Sequence, residues 1–581
     1  MLRQLVHNGV MVPELPAPLG LVLDIRGASV ALTPGQEEMA LAWARKQGTP
    51  YVTDRTFVRN FLADFSRALG LHSPLREPEV DFAPAIDVIE AEKQARAALA
   101  PEEKKARAAH RKAQREALRE LCGHALVDGE RVELANYVVE PGGLFMGRGQ
   151  HPLRGRWKEG ARHEDITLNL SPDAPHPPGA WGEIVWQPDS LWVARWQDKL
   201  SGKMKYVWLS DTAPIKQERE AAKFDRAHTL HARLEEVRGR IEQDLASPEP
   251  KRRMIATACY LIDALCLRVG DEKDPDEADT VGATTLRPEH VTLQPGGKGE
   301  FRFLGKDSVL WHKTLELPAV VEDRLADLIR TARPSNGSLN GGRGHPTRDL
   351  PQIFPDISSR DVNAYLGSIL PGLTAKVFRT HHATLAVRTS LEGSGVEPAD
   401  PDYQKWEAAN LANLEAAVLC NHTRQAPAGS TRSRQRLKER QDRADERLKA
   451  CRGQVKALRD ERAALLAEGR DKKKGAPPEK REQIQVRYRK RREVVERRLA
   501  RAEAQLETAR RVFGRCKAEA SVATKKRAWN LSTSLKSYID PRVYHRWGEQ
   551  VGYEVLEHYY PTALRLKFGW VRDEPQTATD E

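Results

Sequence analysis

Cysteine is scarce and scattered. Six thiols, Cys122, Cys259, Cys266, Cys420, Cys451 and Cys516, occur in 581 residues without a C-x-x-C pair. Neither a disulfide framework nor a zinc site of the usual spacing is expected. Long apolar runs are missing too: none approaches the ~20 residues that span a bilayer, and 30% of the residues are charged. A helical integral membrane protein is excluded. The first residues, MLRQLVHNGVMVPELP, lack the apolar core of a secretory signal and the Arg/Ser-rich pattern of a transit peptide, so the chain is expected to stay in a reducing compartment. There is no G-x-x-x-x-G-K-[ST], and no G-x-G-x-x-G at a strand-to-helix junction. ATP and dinucleotides are not expected, nor is any other cofactor.

Positive charge is present in excess, and it is localised. The chain carries +12 overall, but Thr431 to Lys526 alone holds 32 Lys and Arg against 15 Asp and Glu, a net +17, which leaves the remainder at −5. The same segment has a heptad stripe, Leu437, Ala444, Cys451, Leu458 and Leu465, with Leu448 and Val455 between its members. After the break Gly475-Ala-Pro-Pro478 a second stripe follows, Val495, Ala502 and Ala509 beside Leu499, Leu506 and Phe513. Two helices, each with one narrow seam, predict an antiparallel coiled-coil hairpin. Its charge excess favours a polyanion nearby, although a solvated surface is the plainer explanation of any charge run.

Elsewhere the pattern is mixed. Leu21-Val22-Leu23 is strand-like, and helices are predicted around Glu37 to Arg45, Phe57 to Leu69 and the highly charged Glu90 to Leu121. Trp192, Ala194 and Trp196 alternate before a turn at Ser201-Gly202, predicting a β-rich unit. Leu230, Leu234, Val237, Ile241 and Leu245 share one helical face, and most of the chain to Cys420 has the 3.6-residue period. Glu300 to Leu304 and Val309 to Trp311 flank Gly305-Lys306-Asp307, which predicts a β-hairpin with a lysine at its tip.

The residues that draw attention are Arg268, at the end of an apolar helix before Gly270; Lys306; Arg379, in Lys376-Val-Phe-Arg379-Thr-His-His; His422, after the helix Leu411 to Cys420; and Tyr538. Each alone is ordinary, since such residues commonly cap helices or half-fill cores. Together, the segments GRGQHP, LCLRVGDEK, FLGKDS, TAKVFRTHHAT, VLCNH and SYIDPR resemble the cellular type IB DNA topoisomerases, nearly end to end. The resemblance implies an α+β multidomain clamp that acts as a monomer on double-stranded DNA. Its expected parts are an N-terminal core and cap region (1–103), a β-rich subdomain with a DNA-contact loop (104–213), a helical catalytic subdomain (214–428), a basic coiled-coil linker (429–526) and a C-terminal domain with the nucleophile (527–581).

By the same resemblance Tyr538 attacks a DNA phosphodiester to form a 3′-phosphotyrosyl bond, Arg268, Arg379 and His422 hold the non-bridging oxygens, and Lys306 protonates the departing 5′-oxygen. Arg148, Asp307, Lys376 and Ser537 resemble DNA-contact positions. The chemistry is self-consistent: a phenol of pKa about 10 is a weak nucleophile, and fixed guanidinium forks stabilise charge on phosphoryl oxygens. Cations take the place of a metal, so none is expected. The phosphotyrosine keeps the energy of the phosphodiester, so resealing needs no ATP.

The pattern departs from the family in places. Lys536 stands one position later than the lysine of the usual Ser-Lys-x-x-Tyr, and Ser537 replaces a common Asn. Core-like sequence is expected from about Leu5, without the long basic extension of many nuclear members. The protein is expected inside the cell and on DNA, in the nucleus if the source is eukaryotic and otherwise in the nucleoid or cytoplasm. Two alternatives remain at this level: a tyrosine recombinase, which keeps its tyrosine a few tens of residues after the last histidine rather than the 116 positions found here, and a non-catalytic DNA-binding protein built on the basic coiled coil.

Overall fold

The computed structural model describes residues 1–14, 16–147, 151–270, 281–306, 309–333, 350–424 and 430–573. The fold is mixed α+β, with many helices and several small sheets. The chain divides into two compact units. The first comprises Met1–Asp225, Arg238–Tyr260 and Arg268–Tyr365; the second comprises Arg226–Val237, Leu261–Leu267 and Leu366 onward.

In the first unit, Asp54 starts the helix Arg55–Ala68 by accepting hydrogen bonds from the backbone of Thr56 and Phe57. Phe57, Phe61 and Phe65 then recur every four residues on its buried face. They stack with Trp43 and Phe82 into an aromatic core, Trp43 and Phe61 lying parallel with centroids 4.5 Å apart. Burial of each ring contributes roughly 1.5–3 kcal/mol. A second core lies under two sheets. One has the order Leu5–His7, His124–Val127, Glu130–Glu133; the other has Glu183–Val185, Ile166–Asn169, Trp192–Gln197, Met204–Trp208. The expected alternation of Trp192, Ala194 and Trp196 is interrupted by a register shift after Trp192, which leaves Val193 buried as well.

Two long helices expected from sequence are each two. The charged stretch divides into Ala83–Ala98 and Pro101–Cys122, because Pro101 has no amide to continue a preceding helix and suits the first turn of a new one. The face running from Leu230 to Leu245 spans Pro214–Ala232 and Leu234–Leu245. Its apolar period passes through the junction at Arg233, so the pattern carries no sign of the break.

The hairpin around Lys306 forms as expected. Strands Lys298–Gly305 and Val309–Glu316 pair in register from Lys298 opposite Glu316 to Gly305 opposite Val309. Phe301, Phe303 and Trp311 face the core, while the cross-strand pair Leu304 and Leu310 faces outward.

In the second unit, helices Ala375–Glu392 and Asp402–Leu419 pack together. The latter buries a row of small residues, Ala408, Ala409, Ala412 and Ala416, which lets its neighbours approach closely. Helices Ser430–Lys474 and Pro478–Lys525 run antiparallel along each other. Their shared seam is Leu448, Val455, Leu458, Leu499, Ala502, Leu506 and Ala509. Cross-pairs Arg440–Glu519, Arg459–Glu503 and Arg498–Glu461 follow the same antiparallel order. Being largely exposed, each of these ion pairs contributes about 0–1 kcal/mol, and the apolar seam is the main adhesive.

Candidate active site

Arg268 does not end a helix. The helix Pro250–Leu265 stops at Leu265, where Cys266 adopts φ 55°, and Arg268 follows in irregular chain. Within the first unit this chain is braced by the segment 281–285. Ala283 and Thr284 donate backbone hydrogen bonds to the carbonyls of Arg268 and Val269, at 2.9 and 2.8 Å. The close approach requires glycine on both sides: a Cβ on Gly282 would lie 2.5 Å from Gly270 Cα, and Gly270 has φ 86°. Val281 of the same segment donates to the carbonyl of Leu304 at 2.8 Å, two residues before Lys306. One short segment therefore positions both Arg268, which is half-buried, and Lys306, which is exposed at the hairpin end.

The second unit brings together Arg379, His422 and Tyr538. Arg379, in the second turn of the helix Ala375–Glu392, is 1% exposed. Its Nη1 donates to the carbonyl of Cys266 at 2.8 Å, and its Nη2 donates to that of Cys420 at 3.0 Å. The same Nη2 lies 3.3 Å from Nε2 of His422. The guanidinium carbon is 4.9 Å from the centroid of the Tyr538 ring, a cation–π distance. Among the described residues, no carboxylate pairs with Arg379 and its buried Nε has no acceptor. A buried cation held only by neutral groups is costly, and an incoming anion would offset that cost.

His422 follows a helix that begins earlier than expected, at Asp402, and ends at Leu419, after which Asn421 takes φ 52°. Two strands of chain then join: Asn530 donates to the His422 carbonyl at 2.6 Å, Arg424 donates to that of Ala528 at 2.8 Å, and Thr423 and Trp529 form a bridge. This staple closes the base of the long helical hairpin and delivers the chain into the helix Leu531–Ser537. Tyr538 caps that helix and is gripped on both sides. Its amide donates to the carbonyl of Ser534 at 2.9 Å, and its own carbonyl accepts from the Thr384 hydroxyl at 3.3 Å. Its ring centroid lies 5.3 Å from that of His422.

Lys376 is exposed one turn before Arg379, Ser537 is half-buried beside Tyr538, and Lys536 is exposed. Arg148 and Asp307 lie outside the described residues.

Family models match in succession along the chain: that for the DNA binding fragment of eukaryotic DNA topoisomerase I over residues 2–209, that for its catalytic core over 212–455, and that for the C-terminal topoisomerase domain over 513–578. The human protein "DNA topoisomerase I, mitochondrial" is 30% identical over 98% of this chain and 89% of its own. The chain belongs to the eukaryotic DNA topoisomerase I family. The Arabidopsis thaliana relative "DNA topoisomerase 1 beta" is 31% identical over the whole chain, which spans 60% of that relative's length. "DNA topoisomerase 1" of Candidozyma auris is 36% identical over 73% of the chain and 55% of its own length.

Several supporting residues escape a sequence reading. Ser534 places its hydroxyl 2.7 Å from Nδ1 of His422. Its only linear signal is a spacing of four from Tyr538, which puts both on one helical turn. His382 pairs with Asp263 at 2.6 Å, and Asn413 donates to the carbonyl of Leu531 at 3.2 Å and to the Tyr559 hydroxyl at 2.8 Å. Asp263 is 119 residues from its partner, and no local motif marks such a pair.

Proposed function

We propose that this chain is a type IB DNA topoisomerase, relaxing supercoiled duplex DNA by transient cleavage of one strand, rotation and resealing, without ATP or metal. The observation that carries the reading is the convergence of Arg379, His422 and Tyr538, with a buried guanidinium that lacks an anionic partner among the described residues. A DNA phosphate supplies such an anion. Tyr538 attacks phosphorus and forms the 3′-phosphotyrosyl bond while the 5′-oxygen leaves. Arg379, Arg268 and His422 donate to the non-bridging oxygens, where charge accumulates. Lys306, on its exposed hairpin end, gives the 5′-oxygen a proton. In resealing the 5′-hydroxyl returns that proton and displaces Tyr538.

Arg148, Asp307, Lys376 and Ser537 contact the DNA beside the cut. The chain works as a monomeric clamp on DNA, divided at 1–103, 104–213, 214–428, 429–526 and 527–581, with the long helical hairpin a coiled-coil linker. The decisive experiment incubates the full chain with negatively and positively supercoiled plasmid in EDTA without ATP, then stops the reaction with denaturant. Relaxation of both forms and a protein–DNA adduct through a 3′-phosphate are expected. Binding without either in EDTA would remove the reading.

The linker contributes binding rather than chemistry. Its net +17 faces solvent around an apolar seam, and the staple between His422–Arg424 and Ala528–Asn530 closes its base independently of its length. Replacing Thr431–Lys526 with a short Gly/Ser turn is expected to preserve cleavage. Affinity for duplex DNA should fall, with a shallower dependence on salt: about 0.9 in log–log slope for each phosphate contact removed. Filter binding from low to high salt checks this, and an unchanged slope would show that the linker does not meet DNA.

A further inference from the structure

We propose that Ser534 is a positioning residue that allows His422 to change which ring nitrogen carries its proton when the phosphate arrives. The proposal rests on the reading above, in which His422 donates to a phosphoryl oxygen. Ser534 is fully buried, and its hydroxyl lies 2.7 Å from Nδ1 of His422. On the opposite side of the ring, Nε2 lies 3.3 Å from Nη2 of Arg379. A guanidinium only donates. Without substrate, Nε2 therefore accepts from Arg379, and in the neutral ring the proton sits on Nδ1 and is donated to Ser534 Oγ.

A phosphoryl oxygen only accepts, so His422 must then present Nε2–H. The neutral ring releases its Nδ1 proton to water and takes one from water at Nε2, with no net change. Nδ1 becomes an acceptor. A carbonyl or carboxylate at this position would oppose the change, because it could not donate to Nδ1. A hydroxyl both donates and accepts, and rotating its O–H suits either tautomer without moving a heavy atom. Arg379 is correspondingly released to the same phosphate. The backbone carbonyl of Ser534 meanwhile accepts from the amides of Tyr538 and Ile539, at 2.9 and 3.2 Å, so one residue sets both the histidine and the nucleophile. The charged and titratable groups that face His422 include Arg379 of the helix Ala375–Glu392 and Tyr538 at the end of Leu531–Ser537.

The test is single-turnover cleavage of a DNA substrate that cannot be resealed, measured from about pH 5.5 to 9 in the full chain and its variants. Ser534→Ala should cleave ~10-fold more slowly than the parent at pH 8. The deficit should shrink as the pH is lowered, because a doubly protonated imidazole carries Nε2–H whatever stands at 534. Ser534→Thr, which keeps the hydroxyl, should recover most of the rate. If the alanine variant does not fold, Ser534→Cys, similar in size and a weak hydrogen-bonding group, should show the same pH-dependent deficit. A deficit equal at every pH, no deficit, or no recovery with threonine would overturn the role of Ser534. A parent that forms no adduct overturns the underlying reading instead, so the two failures are distinguishable.

Discussion

Tyr538→Phe will abolish the covalent adduct and plasmid relaxation while leaving the protein folded and bound to DNA. The substitution removes one oxygen. The ring keeps its place over the Arg379 guanidinium and beside His422, and the backbone stays held by Ser534 and Thr384. Among the described residues no hydrogen bond depends on the hydroxyl, so stability should change by less than ~0.5 kcal/mol, as for substitutions that disturb no packing or hydrogen bond. Chemistry has no such tolerance. Loss of a covalent nucleophile typically costs about 10⁴-fold or more in rate. Denaturant-trapped adduct and relaxation should both fall below detection, with the salt dependence of binding and the melting temperature near the parent's. An adduct surviving in this variant would place the nucleophile on another tyrosine.

The second large effect belongs to Lys306. Because Lys306 is exposed at the end of a hairpin whose register is set by eight paired positions, Lys306→Ala should leave the fold intact. Cleavage should slow by about 10²–10⁴-fold, the usual contribution of a general acid, since the 5′-oxygen must leave without a proton. A substrate with sulfur at the 5′-bridging position releases a thiolate, which needs none. On that substrate the variant should cleave at close to the parent's rate. Arg379→Ala gives the contrast: in the proposed mechanism the guanidinium acts on the phosphoryl oxygens, whose charge does not depend on the leaving group, so sulfur should not rescue it. Equal deficits of Lys306→Ala on both substrates would assign the proton to another group.

Much of the fold was legible because its elements are locally determined. The long helical pair shows its seams in the linear order, since heptad spacing and the helical period nearly coincide. The hairpin around Lys306 is written as alternation about a glycine turn, and the helix Arg55–Ala68 lies where one was expected around Phe57 to Leu69. Failures came where one period ran across a junction, as at Arg233, or where a backbone change of hand was invisible, as at Cys266. That change removed Arg268 from the helix end where the apolar pattern had put it.

The candidate site divides along the same line. The sequence by itself determined the residue types in their ordered motifs, the localisation of positive charge in one segment, and the family. Only tertiary structure decided which neighbours make those residues competent. The carbonyls of Cys266 and Cys420 that hold Arg379, the segment 281–285 that braces Arg268 and the Lys306 hairpin, and the hydroxyl of Ser534 against His422 lie far apart along the chain. The physical reason is that a motif records chemistry carried by side chains, whereas a buried guanidinium or imidazole is oriented by whichever backbone and hydroxyl groups the packed helices bring within 3 Å. Those partners are common residue types whose role comes from position alone.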